Sequence, residues 1–213
     1  MEKFSIDELI KKTPYGEFDY VFLSNILQRY SKPRTIISRL LKNNHIIRVK
    51  KGIYVYGENS LGPPYSKEIL ANMIYGPSYI SLEYALAYHN LIPERVETLT
   101  SISNKKNKTY LTPLGEFTYQ YLPTPIFKLG IDRVTVDAKR TILIASKEKC
   151  LIDLIYQKKQ PMNKNDIETF LKDNMRIDHT QLRQLHITKL EEISKAYRQD
   201  SIKTLINYIR KIK

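Results

Sequence analysis

Between Gln28 and Gly52 the chain carries eight positive side chains and no acid: Arg29, Lys32, Arg34, Arg39, Lys42, Arg48, Lys50 and Lys51. Cations aimed along one surface neutralise phosphates, and arginine, serine or threonine on the exposed face of a groove-sized helix hydrogen-bond base edges. The run therefore points to double-stranded DNA as a partner. Arg34, Thr35, Ser38 and Arg39 are the candidates for base edges, and Lys32, Lys42, Arg48, Lys50 and Lys51 for phosphates. Charge that only keeps a domain soluble is the bland alternative, but it does not explain single-sign charge at recognition positions. Tyr54 is expected to pack on the neighbouring helix rather than offer its hydroxyl to a phosphate.

Catalytic chemistry is poorly represented. His45, His89, His179 and His186 lack the spacing of a helical metal pair, and no HExxH, P-loop or GxSxG motif occurs, so no catalytic residue, metal or cofactor is expected. Ser146, Glu148, Lys149 and Asp153 superficially resemble part of an active site, yet each has a plain role at a helix start or on a solvated face. Cys150 lies among apolar neighbours and reads as a core thiol. In the stretch Tyr79-Ile80-Ser81-Leu82-Glu83-Tyr84-Ala85-Leu86-Ala87-Tyr88-His89, Ser81 reads as a helix cap. Glu83, Tyr84, Tyr88 and His89 are candidates to line a cleft for a partner or nucleic acid.

The elements that position the basic run follow from periodicity. Ser5 can cap a helix to about Lys12, with Glu8 at capping-box spacing. After the break at Thr13-Pro14-Tyr15-Gly16, a helix from about Tyr20 to Gln28 turns Phe22, Leu23, Ile26 and Leu27 inward. Pro33 restarts a third helix, because proline lacks an N–H that the first turn leaves unpaired anyway. Its apolar stripe is Ile36, Ile37, Leu40 and Leu41, and its opposite face carries the cations. Asn43-Asn44 can supply a left-handed ending, and residues 46–50 and 53–56 alternate as a hairpin around Lys51-Gly52. This order predicts a winged helix-turn-helix over residues 1–58.

Glu58-Asn59-Ser60-Leu61-Gly62-Pro63-Pro64 gathers breakers and marks a boundary, with a second domain over residues 63–213. Short Thr-, Tyr-, Val- and Ile-rich runs between Val96 and Ala145 predict a mostly antiparallel sheet, followed by a helix from Ser146 and a helical C-terminal part. The fold class is α+β. A formal charge of +13 with 42% apolar residues fits a globular chain with a polyanionic partner. One cysteine excludes an internal disulfide and fits a reducing cytoplasm. The first residues show no basic region followed by an apolar stretch, and no window reaches the length of a membrane span, so a cytoplasmic protein without a membrane partner is expected.

The chain resembles the AbiEi family of antitoxins from type IV toxin-antitoxin and abortive-infection systems. The resemblance rests on the basic, glycine-containing wing over residues 46–56, on Tyr79 to His89 continued by Asn90-Leu91-Ile92-Pro93-Glu94, on residues 96–103, and on Ala145-Ser146-Lys147-Glu148-Lys149-Cys150-Leu151-Ile152-Asp153-Leu154. It covers most of the chain to about Ile155. It implies a repressor of its own promoter that binds inverted repeats, and a second domain that counters a nucleotidyltransferase toxin without a tight complex. No heptad seam is present to hold a dimer, so a monomer in solution with two copies on DNA is the expectation. Two other readings stay open: a plain transcription factor whose C-terminal domain binds an effector or dimerises, and an enzyme acting on nucleic acid.

Overall fold

The computed structural model describes residues 4–137 and 139–213. The chain divides into two compact units, one running to Ile74 and including Leu111–Gly115, the other comprising Tyr75–Tyr110 and Glu116–Lys213.

The first unit holds α1 (Ile6–Lys12), β1 (Glu17–Asp19), α2 (Tyr20–Leu27), α3 (Pro33–Lys42), β2 (Ile46–Lys50), β3 (Ile53–Tyr56) and α4 (Lys67–Ile74). Ser5 caps α1 by accepting from the Asp7 N–H, and Asp19 caps α2 by accepting from Phe22 N–H at 2.8 Å. The short strand β1 is not foreseen in the sequence. It pairs antiparallel with β3, giving a three-stranded sheet in the order β1-β3-β2. β3 is thus the central strand, which is why all four of its residues are buried instead of alternating. The core gathers Leu9, Leu23, Leu27, Ile37, Leu40 and Ile46 beneath Phe18, Tyr54 and Tyr56. Residue Asn44 takes φ 52 at the end of α3 and Gly52 takes φ 88 at the hairpin turn, the left-handed positions that asparagine and glycine adopt most readily. Helix α4 belongs to this first unit, so the compact units divide at Ile74, later than the proline turn at 63–64.

The second unit is built on a six-stranded sheet of order β6-β7-β5-β4-β9-β8, formed by β4 (Ser78–Ile80), β5 (Leu99–Ser103), β6 (Lys108–Thr112), β7 (Gly115–Tyr121), β8 (Ile131–Asp137) and β9 (Arg140–Ala145). The sheet is mixed. β4 with β5 and β8 with β9 are antiparallel, whereas β5 with β7 and β4 with β9 run parallel. Helix α5 (Leu82–Tyr88) follows β4, the single turn α6 (Thr124–Phe127) follows β7, and α7 (Lys147–Gln157) follows β9. Every residue of α7 from Glu148 to Ile155 is buried, so the middle of this helix is wrapped on all sides. The remainder is helical: α8 (Lys164–Thr169) running into a π-helical turn (Phe170–Asn174), α9 (His179–Arg183), α10 (Ile187–Ser194) and α11 (Asp200–Ile212). In α11 the buried Ile202, Leu205, Ile206 and Ile209 recur at three- and four-residue spacing, the stripe of a helix lying on a core. The architecture is α+β, with a mixed sheet and C-terminal helices.

Among the described residues no helix is long and apolar enough to cross a membrane.

Candidate nucleic-acid interface

Helix α3 buries Ile37 and Leu40 and exposes Arg34, Thr35, Ser38, Arg39 and Lys42. Burying one such side chain contributes roughly 1.5–3 kcal/mol, enough for two of them to fix which face of a ten-residue helix looks outward. Lys32 at its start, Arg48 on β2 and Lys51 at the hairpin turn are exposed as well. Eight of the nine residues expected to meet DNA are therefore on the surface of the first unit.

The ninth is diverted. Lys50 is half-buried, and its Nζ donates to the Ile74 carbonyl, the last of α4, at 2.6 Å. The cause is a bulge: pairing shifts between Arg48 and Lys50, so two residues that would share one face of a regular strand part ways. Val49 drops into the interior at 5% exposure, Arg48 stays outside, and Lys50 is held by the helix end. Arg39 keeps one bond inward, from Nη2 to the Phe4 carbonyl at 3.3 Å, which steadies its stem while leaving it exposed. Tyr54 is buried, and its ring stacks on Phe18 of β1 with centroids 6.3 Å apart.

Glu8 departs from its capping-box reading. Its carboxylate accepts from Lys12 at 3.0 Å, from the Tyr30 hydroxyl at 2.8 Å and from Arg29 at 2.7 Å. Although desolvation pushes the other way, these partners hold its pKa below the ordinary carboxylate value. Arg29, the one cation of the basic run outside the recognition set, is thereby used to tie α1 to the end of α2.

In the second unit the four α5 candidates do not converge as a set. Tyr88 is exposed, and Glu83 and Tyr84 are half-buried. His89 is committed: Nε2 lies 2.7 Å from the Ala145 carbonyl, which can only accept, so Nε2 carries the proton. Ser81 stands at the N-cap position but its side chain caps nothing. The cap comes instead from β5, where Thr100 Oγ1 accepts from the Tyr84 N–H at 3.1 Å and donates to the Ser81 carbonyl at 2.7 Å.

The Ser81 hydroxyl turns to Asp153, which corrects the solvated-face reading of α7. Asp153, Lys149 and Glu148 are buried at 0%, 0% and 2% exposure. Asp153 Oδ2 accepts from Tyr79 at 2.9 Å and Ser81 at 2.8 Å, and Oδ1 accepts from Tyr197 at 2.5 Å and lies 3.0 Å from Lys149 Nζ. Lys149 completes its three donors on the Tyr197 oxygen and, at 2.9 Å, on the Ile126 carbonyl. Gly130 makes room: with φ 63, a Cβ there would sit 2.9 Å from that of Lys149. The network is closed, since both carboxylate oxygens have two donors and the ammonium has three acceptors. Burial pulls the Lys149 ammonium below its ordinary pKa against the pull of Asp153, and burial followed by the Asp153 charge pushes Tyr79 and Tyr197 up. With the acceptor sites of the carboxylate and the donors of the ammonium filled, the arrangement holds α7, β4 and the chain before α11 together. Only Ser146 behaves as its sequence position indicates, capping α7 by accepting from the Lys149 N–H at 3.2 Å. Glu148 instead accepts from the His186 N–H at 3.0 Å. Cys150 is fully buried, and burial pushes its thiol well up, as expected of a core thiol.

One feature carried no usable signal in the sequence: the Lys149–Asp153 pair has the i,i+4 spacing of an ordinary surface pair, and the hydroxyl donors that meet it come from 74, 72 and 44 residues away. Among the described residues no group of histidine, cysteine and acids is placed to hold a metal ion.

No family model and no curated protein matches the chain. Among solved structures it is similar to the RV2827C protein from Mycobacterium tuberculosis, with a TM-score of 0.63 and 11% identity over 97% of this chain and 75% of that one. At that identity the likeness is one of fold, and it supports the α+β architecture along nearly the whole chain.

Proposed function

We propose that this protein is a DNA-binding autorepressor, reading its operator with α3 and bracing on phosphates with the β2–β3 hairpin. The single observation that supports this most is the exposed face of α3, where Arg34, Thr35, Ser38, Arg39 and Lys42 stand opposite the buried Ile37 and Leu40 with no acid between Gln28 and Gly52. On this reading the first unit is a winged helix-turn-helix, with its third helix in the major groove. The second unit is the antitoxin part of a type IV system, countering a nucleotidyltransferase toxin without a tight complex, and the protein works in the cytoplasm. That half of the proposal rests on the AbiEi resemblance of residues 79–94, 96–103 and 145–154.

A gel-shift titration on the DNA upstream of its own gene tests the first half. Specific binding that is lost in the Arg34→Ala, Ser38→Ala, Arg39→Ala variant, with its circular dichroism unchanged, is the expected result. Binding equal to that on random DNA sinks autoregulation. Co-expression with a neighbouring nucleotidyltransferase gene tests the second: growth rescued by the full chain is expected, and no rescue sinks the antitoxin role.

A further inference from the structure

The second unit carries a basic, aromatic surface that the recognition helix does not account for. Two adjoining hollows of about 630 and 440 Å³ share Asn107 and Tyr121, and so form one open groove beside the end of β7 and the C-terminal end of α7. Its walls include Tyr75, Lys105, Lys106, Tyr121, Tyr156 and Arg198. The Tyr121 side is 48% exposed, and Lys106 and Arg198 are exposed beside it. Tyr75 is braced from behind by Tyr110 and Tyr119, with centroids 5.9 and 5.3 Å away, and Lys105 Nζ lies 5.4 Å from its ring centre. Tyr156 is backed edge-on by Tyr197 at 5.3 Å. The rings are thus fixed by a second layer rather than loose on the surface.

No acid lines either hollow. None occurs in the sequence from residue 98 to 115 or from 154 to 165, and Asp200, next to the groove residue Gln199, is paired with Lys203 at 2.8 Å. A solvated charged face does not need half-exposed tyrosines, and a small-molecule site is enclosed, whereas this groove is open. Rings interleaved with unpaired cations along an open groove match unstacked bases and a phosphate backbone, a combination that a duplex hides.

We propose that this groove binds single-stranded nucleic acid, with a base stacked on Tyr121, a second on Tyr156, and phosphates on Lys106 and Arg198. The proposal is independent of duplex recognition by α3.

Fluorescence anisotropy on the full chain tests it, with labelled oligouridylate and oligothymidylate of roughly 12 nucleotides, a length within ordinary single-strand site sizes, and a random-sequence duplex for comparison. Both single strands should bind through the groove, and the tighter of the two identifies RNA or DNA as its ligand. Tyr121→Ala should weaken binding roughly 5- to 150-fold, the loss of one stacked base, whereas Tyr121→Phe should keep it. Lys106→Ala with Arg198→Ala should lower the salt slope by about 1.4, since each single-strand phosphate contributes about 0.7. The Arg34→Ala, Ser38→Ala, Arg39→Ala variant should bind single strands as wild type does, whatever it does to duplex binding. The proposal is overturned if neither single strand binds, if Tyr121→Ala and the double variant match wild type, or if the α3 variant abolishes single-strand binding. Should Tyr121→Ala misfold, the double variant of the two exposed cations decides alone.

Discussion

Replacing Asp153 by asparagine tests whether the closed network of α7 holds the second unit together. The carboxylate accepts four donors, from Tyr79, Ser81, Tyr197 and Lys149. Asparagine offers one carbonyl and one amide nitrogen, so two donors lose their acceptor and face N–H groups, while the fully buried Lys149 loses its counter-charge. Breaking one partner of a buried ion pair costs about 3–5 kcal/mol. For a chain of this size that is a fall in melting temperature of roughly 6–20 °C. Tyr197→Phe leaves the charge pair in place and removes one hydroxyl that donates to Asp153 and accepts from Lys149, so it should cost less, about 1–3 kcal/mol. Urea denaturation followed by circular dichroism measures the midpoints, and hydrogen exchange of the α7 amides separates opening of the second unit from that of the first. Asp153→Asn within about 0.5 kcal/mol of wild type, the range of ordinary surface substitutions, or milder than Tyr197→Phe, would refute the view that this carboxylate is the charged centre of the core.

Buried tyrosines give the protein an alkaline limit. Tyr79, Tyr119 and Tyr197 are all pushed above the ordinary phenol value near 10, chiefly by burial, so between that pH and their folded values the unfolded chain binds fewer protons and stability falls as pH rises. Lys149, pulled below 10.5 by burial, acts with the opposite sign, one group against three; urea midpoints that stay level from about pH 9 to 11 would contradict this. Thr100→Val removes the side chain that caps α5 from β5 and should lower stability by about 1 kcal/mol, with extra exchange at the Tyr84 amide as its mark. Lys51→Ala should reduce DNA affinity and flatten the salt slope by about 0.9, whereas Lys50→Ala, whose ammonium sits on the Ile74 carbonyl, should chiefly lower stability; equal salt slopes for the two variants would show that Lys50 also reaches a phosphate.

What the sequence reveals and what it hides divide along the range of the interactions. The faces of α3, the caps at Ser5 and Ser146 and the left-handed Asn44 are decided by residues a few positions apart, and periodicity and cap chemistry expose them. Lys50 is already different. Alternation along β2 puts it beside Arg48, and only the bulge, which depends on how β3 pairs across the turn, sends it to α4. β1 is a further step away, three residues whose strand character comes from pairing with Tyr54 and its neighbours rather than from their own pattern.

The α7 network lies at the far end of that scale. Lys149 and Asp153 one turn apart are what a solvated helix face offers, and a salt bridge there contributes little. Position in the fold changes its meaning: Tyr79 and Ser81 arrive from β4, and Tyr197 from the turn before α11, and together they remove both charges from water. A buried charge left short of one partner is costly, so the four hydroxyl and ammonium donors must be assembled together. That requirement ties β4, α7 and the C-terminal helices into one folding unit, and it accounts for a helix that carries Glu148, Lys149 and Asp153 yet is buried from Glu148 to Ile155. The tyrosines around the groove divide in the same way: Tyr119 and Tyr197 are buried behind it, and Tyr121 lines it at 48% exposure.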